Sequence, residues 1–322
     1  MKIAFLFPGQ GSQMVGMGQD IYQAFPIARD IFSQVDDAIG EKLSDIIFLG
    51  PIEKLTITEY TQPALMATSI AILKVIEQES GFNITQIAQA VAGHSLGEYS
   101  ALTAVSSLPL ATCANLLKTR GRAMQSAVPM GKGAMVALLG MDADDVNSIV
   151  DEVTASGADV ACANDNADGQ VVISGDKISV EKTIALAKTK NFAKPLKRAV
   201  ALPVSAPFHS PLMKPAMEKM AQALQNIKLQ NPLLPIYNNV TALPQTDGEK
   251  IKHDLVAQVC ARVRFRETIQ NMTKDGFDHF VEIGPGKVLS GLVKRITADA
   301  TTINIGNLAD IKEQLAFFKN SV

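Results

Sequence analysis

At 322 residues, with 47% hydrophobic and 19% charged side chains, the chain is long enough for a sizeable core and has an ordinary soluble globular composition. A net charge of −2 gives no field that would draw nucleic acid. Cys113, Cys162 and Cys260 lack the spacing of a disulfide framework or a metal cluster, no apolar run reaches the roughly 20 residues of a membrane helix, and MKIAFLFPGQG is too short an apolar start for a signal peptide. A cytoplasmic chain with buried thiols, no bound metal and no membrane contact is expected.

In chain order, KIAFLF (2–7) reads as a buried strand and the glycine-rich FPGQGSQMVGMG (7–18) as the loop after it. That loop fails as a dinucleotide fingerprint because Met14 stands where the third glycine belongs, and there is no Walker A pattern. PALMATSIAILKVIEQ (63–78) has helical spacing, IAQAVAG (87–93) reads as a strand, and a helix starts at Leu96. This alternation predicts an α/β fold, a mostly parallel sheet covered by helices.

From Gly133 the rhythm changes. GAMVALLG (133–140), DVACAND (159–165), QVVISG (170–175) and KPLKRAVALP (194–203) read as strands. DADDVNSIVDEV (142–153) and KISVEKTIALAKTKN (177–191) read as helices between them, in the order βαββαβ of a ferredoxin-like unit. The expectation is a discontinuous large domain, 1–129 and 204–322, with a small domain inserted at 130–203. The larger pattern resumes with PLMKPAMEKMAQALQNI (211–227), whose Leu212, Ala216, Met220, Leu224 and Ile227 share one helical face, and with the strand and turn HFVEIGPG (279–286). No long apolar stripe announces a self-interface, so a monomer is expected.

Gly93-His94-Ser95-Leu96-Gly97 fits G-x-S-x-G, the tight strand-to-helix turn that holds a serine out at the head of a helix, with backbone N–H groups aimed at the same spot. A plain serine N-cap with turn glycines is the alternative. Serine needs a base. Of the four histidines, His94 adjoins the serine on a turn that sends neighbours apart, His253 sits among charges and His279 beside Asp278. His209 lies in LPVSAPFHSPLM, stiffened by Pro203, Pro207 and Pro211, either as that base or as a hydrogen-bonded loop residue. No acid stands out to orient it, so a dyad steadied by a carbonyl is as plausible as a triad. Arg120, in the apolar helix segment LLKTRGRAM, needs a partner: an internal carboxylate or a substrate carboxylate.

Together, FPGQGSQ, GHSLGEYSAL, TRGRAMQ, ANDNADGQVVISG, VSAPFHSPLM and VEIGPGKVLSGL resemble, in order over nearly the whole chain, the malonyl-CoA:acyl carrier protein transacylases of fatty acid synthesis. The resemblance implies a hydrolase-like α/β domain with a ferredoxin-like insert. It also implies Ser95 as acyl acceptor, His209 as base and acid, Gln10 and Leu96 N–H groups as the oxyanion hole, and Arg120 as the fork for the malonyl carboxylate. Met124 would line the acyl pocket, the Gln258 carbonyl would steady the histidine, and Asn164 and Asn166 would face the site. No bound cofactor is implied; a coenzyme A thioester is the substrate.

Three departures accompany the resemblance. Asp165 replaces a usual aromatic, and strand alternation sends it to the face opposite Asn164 and Asn166. Arg262 and Phe265 stand where proline and tryptophan are usual, and APFHS matches the histidine motif only loosely. The acidic carrier protein would be a transient partner, steered by Lys287, Lys294 and Arg295 in preference to the basic run KTKNFAKPLKR (188–198). A serine esterase or thioesterase shares Ser95 and His209, and a carrier-binding module without catalysis is the other rival.

Overall fold

The run Ile3–Phe7 is buried at every position, as a strand covered on both faces must be. In this computed structural model, which describes residues 1–204 and 206–320, it is the centre of the larger of two sheets. Ser205, within the histidine segment, and Ser321 and Val322 lie outside the described residues. The strands are β1 (Ile3–Phe7), β2 (Ala90–Gly93), β3 (Gly133–Leu139), β4 (Val160–Ala167), β5 (Gln170–Asp176), β6 (Arg198–Ala201), β7 (Ile236–Tyr237), β8 (Pro244–Gln245), β9 (His279–Ile283) and β10 (Thr301–Ile305).

The larger sheet has the order β10-β9-β1-β2-β7-β8, parallel except for β8. The smaller is antiparallel, β4-β5-β3-β6, with the helices Ala143–Thr154 and Lys177–Thr189 between its strands. That is the βαββαβ order expected, and the strand order of a ferredoxin-like sheet.

Local boundaries differ from expectation for local reasons. The helix expected at 63–78 runs Thr58–Ser80, because Pro63 falls in its second turn and removes a single ladder bond. The strand expected at 87–93 begins only at Ala90; Asn83 and Gln86 form a capping box that winds Ile84–Ile87 into a helical turn. The last small-domain strand shrinks from 194–203 to Arg198–Ala201, the residues that pair with β3. The segment 211–227 divides into a 3₁₀ turn, Pro211–Met213, and a helix, Lys214–Gln225. Ala216, Met220 and Leu224 are buried on that helix, while Leu212 precedes it and Ile227 follows it. The basic run 188–198 is not a helix face: its helix stops at Thr189, and Lys190 and Lys194 pair with Glu152 and Asp142.

The connection from β2 into the helix Leu96–Ala104 has no spare room. A Cβ on Gly93 would lie 2.0 Å from the Gly97 carbonyl carbon, and one on Gly97 would lie 2.1 Å from the Phe7 carbonyl oxygen. Both obstacles are backbone, so no rotamer change relieves them. Gly97→Ala should therefore destabilise the protein by about 3 kcal/mol or more in urea unfolding. Gly291→Ala, in the helix Val288–Ile296 with nothing within 4 Å of the new methyl, should stabilise it by about 0.5–1 kcal/mol.

Candidate active site

Ser95 sits at that turn with φ 52° and ψ −108°, a conformation that costs a residue with a Cβ about 1–3 kcal/mol and must be held from outside. Asn239 holds it. Its Oδ1 accepts the Ser95 N–H at 2.7 Å, and its Nδ2 donates to the Gly93 carbonyl at 2.7 Å. The Ser95 hydroxyl is thereby fixed at the head of the helix Leu96–Ala104, where the first N–H groups have no partner within the helix.

His209 Nε2 lies 2.9 Å from Ser95 Oγ. His209 also has positive φ, 56°, so the stiff segment before Pro211 presents it in a strained conformation. Its Nδ1 faces two acceptors, the carbonyls of Gln258 at 2.9 Å and Ala261 at 3.1 Å. Nδ1 therefore carries the proton, and the Nε2 lone pair is left toward the serine. Among the described residues no carboxylate is hydrogen-bonded to the ring. Burial, with the Arg120 charge adding to it, pulls the His209 imidazole down to about 3, so it is neutral and able to take a proton.

Arg120 is 1% exposed and pairs with no carboxylate among the described residues. Neutral oxygens surround it instead. Nη1 donates to Gln62 Oε1 at 2.9 Å, and Nη2 donates to Gln258 Oε1 at 2.9 Å and to Ser95 Oγ at 3.1 Å. Its Nε has no hydrogen-bond partner among the described residues, and the Tyr99 ring lies 5.5 Å from the guanidinium carbon. Burial lowers the Arg120 pKa, the direction expected of a cation without a contacting anion.

A cavity of about 310 Å³ opens over these groups. Gln10, Leu96, Met124, Asn164 and Asn166 line it with Ser95, Arg120 and His209, so the chain brings residues that follow β1 and β2 of the larger sheet against β4 of the smaller one. Two bulges in β4, at Cys162/Asn164 and Asp165/Ala167, go with the two asparagines facing the cavity, and Asn166 Oδ1 lies 2.8 Å from His94 Nε2. His94 also lines the cavity, and burial lowers its pKa. Asp165 faces away, buried and bonded through both oxygens to Arg266. Arg262 reaches Asn147 at 2.9 Å, and Phe265 packs against the His94 ring at a tilt, with centroids 5.7 Å apart.

Lys287 is exposed at the head of the helix Val288–Ile296, whose Val288, Leu289 and Leu292 line the cavity. Lys294 lies on the exposed side of the same helix, and Arg295 is tied to Gln170 and to the Asp168 carbonyl. His279 pairs with Asp278, and His253 is 85% exposed. Neither reaches the cavity.

A model of the acyl transferase domain matches residues 4–315. The chain belongs to the acyl transferase family. It is 45% identical over 306 residues to the malonyl CoA-acyl carrier protein transacylase of Bacillus subtilis, covering 95% of this chain and 94% of that one. It superposes on the acyl-carrier-protein-S-malonyltransferase of Bartonella henselae with a TM-score of 0.94, at 48% identity over 99% of each chain. A malonyl-transacylase solved in complex with a type II PKS acyl-carrier protein superposes with a TM-score of 0.92, at 40% identity over 98% of this chain and 100% of that one.

Several parts of this acyl transferase site were not anticipated from sequence: Gln62, Asn239, Glu98 and the side-chain amide of Gln258. Glu98 is 0% exposed, and burial pushes it up to about 7 against hydrogen bonds from Asn239 and Gln258. The one available signal was its place three residues after Ser95, which puts an acid inside the apolar elbow helix. The His209 ring should show no protonation step between pH 8 and pH 5 when its Cε1–H is followed by NMR. A step near the ordinary histidine value of about 6.5 would mean that the imidazole is solvated and not held as described.

Proposed function

We propose that this acyltransferase moves malonyl from malonyl-CoA to the phosphopantetheine thiol of an acyl carrier protein through an ester on Ser95. His209 Nε2 takes the Ser95 proton as Oγ attacks the thioester carbon. The oxyanion forms against the N–H groups of Gln10 and Leu96, and its collapse breaks the C–S bond. His209 then returns the proton to the departing thiolate of coenzyme A. The second half runs in reverse order: the carrier thiol loses its proton to His209, its sulfur attacks the ester, and Ser95 leaves as the alcohol. Each oxyanion donor contributes about 10²–10³ in rate.

The observation that carries this reading is the buried Arg120, with no anion in contact among the described residues and one Nη on the nucleophile itself. A thioester carrying a free carboxylate supplies the missing anion, and a fork–fork pair is the geometry guanidinium makes best. Once that carboxylate is bound it also offsets the charge that helps to hold the His209 pKa down, so the right substrate strengthens the base. An acetyl group leaves the guanidinium as it was. Met124, Asn164 and Asn166 line the acyl and pantetheine path, and the Gln258 carbonyl orients the imidazole.

The same reading includes the finer expectations from sequence. The chain works as a monomer in the cytoplasm without a bound cofactor, and 130–203 forms a small domain inserted between 1–129 and 204–322. Lys287, at the cavity rim beside exposed Val288, with Lys294 and Arg295 behind it, receives an acidic carrier protein.

Intact mass after brief incubation with malonyl-CoA tests the proposal. A malonyl adduct is expected on the native chain, none on Ser95→Ala, and the adduct should leave when carrier protein is added. Arg120→Ala should lose at least about a hundredfold in malonyl transfer, corresponding to the 3–5 kcal/mol of a broken buried pair, while accepting acetyl at least as well as the native chain. An adduct that decays in buffer without carrier would make the protein a hydrolase.

A further inference from the structure

Glu98 is a buried carboxylate that this mechanism leaves without a task. It lies on the elbow helix three residues beyond Ser95 and is wholly buried. Its Oε2 accepts the Asn239 N–H at 3.0 Å and the Gln258 Nε2 at 2.7 Å, and its Oε1 has no hydrogen-bond partner among the described residues. A half-satisfied buried acid is a costly feature to place beneath a nucleophile.

The Gln258 amide has two unlike ends, and its surroundings decide which way it points. Its Nε2 faces Glu98, the Ser95 carbonyl at 3.1 Å and the Asn239 Oδ1 at 3.3 Å, all acceptors. Its Oε1 accepts from Arg120 Nη2 at 2.9 Å. Turned over, the amide would set its NH₂ against the guanidinium and its oxygen against a carboxylate. The Ser95 carbonyl can only accept, and Glu98 Oε2 presents a second acceptor on the same side, so together they forbid that orientation.

We propose that Glu98 is a positioning residue: it locks the Gln258 amide and, through it, holds the Arg120 fork where the free carboxylate of the acyl group arrives. The same Oε2 also ties the backbone of Asn239, whose side chain clamps Ser95. One carboxylate oxygen thus references nucleophile and guanidinium to a single helix, and sets the preference for a carboxylate-bearing acyl group over acetyl. This rests on the malonyl-transfer reading above.

Two substitutions separate reach from charge. Glu98→Gln keeps an acceptor oxygen within reach of Gln258 and removes the charge. Glu98→Asp keeps the charge and withdraws the oxygen by one methylene. Steady-state rates of the full chain with malonyl-CoA and acetyl-CoA give the readout. Glu98→Asp should lose at least about tenfold in kcat/KM for malonyl-CoA, chiefly through KM, as expected of a displaced clamp. Its acetyl transfer, which loses the Asn239 tie but does not engage the fork, should fall at least about threefold less than its malonyl transfer, and Glu98→Gln should keep the malonyl preference within about threefold.

Equal losses on both thioesters in Glu98→Asp would reduce Glu98 to a structural role. A native-like Glu98→Asp, or a Glu98→Gln as impaired as Glu98→Asp, would overturn the positioning role. A native chain that forms its adduct with no preference for malonyl would instead overturn the reading of Arg120, and this inference with it. If Glu98→Asp does not fold, Glu98→Gln decides alone: retained preference supports the acceptor role, and its loss removes it.

Discussion

Everything at the site depends on one steric fact: the backbone at Ser95 bends where two glycines leave no space for a side chain. Gly93 and Gly97 nearly touch, Gly97 rests on the Phe7 carbonyl, and Ser95 between them takes positive φ. That bend couples β1, β2 and the elbow helix into a rigid corner and turns the serine hydroxyl out of the sheet. The strain is balanced from outside, by the side chain of Asn239 bridging the Ser95 N–H and the Gly93 carbonyl. A strained serine held at both ends would not have to reorganise before the attack proposed for it, so the strain is compatible with that role.

How far such a corner can be read from sequence depends on whether its cause is local. The elbow was legible because strand, glycine spacing and helix adjoin in the chain. The βαββαβ unit was legible for the same reason, since each strand and helix carries its own period. His209 was singled out by its prolines, although its distance from Ser95 was not. Asp165 was correctly turned away by strand alternation, and its partner Arg266, 101 residues on, could not have been named. What stayed hidden is the layer beneath the site. Gln62, Asn239 and the Gln258 amide are neutral polar residues in unremarkable segments, and they matter only because folding places them against Arg120 and Ser95. The ends of elements misread for a related reason. Pro63 is tolerated inside a helix and Ile84–Ile87 escapes β2 because of capping and pairing, which a hydrophobic period does not report.

The placement of charge follows from what an internal salt bridge would do. A carboxylate against Arg120 would satisfy the guanidinium and fill the fork, leaving nothing for a substrate to complete. With glutamine oxygens at Gln62 and Gln258, the guanidinium is solvated by dipoles but not neutralised. The buried carboxyl of Glu98 is set one amide away on the far side of Gln258, where it bonds the amide that faces the cation without occupying the fork. Direct ion pairing in the interior often fails to recover its desolvation cost. In the proposed reading the separated arrangement leaves that cost to be recovered when an acyl carboxylate docks. On that reading binding energy would be concentrated on the one feature that distinguishes a malonyl group from an acetyl group. The contact between Arg120 and Ser95 Oγ would then place that recognition beside the proposed attacking atom, so selection and acylation would draw on the same few ångströms of structure.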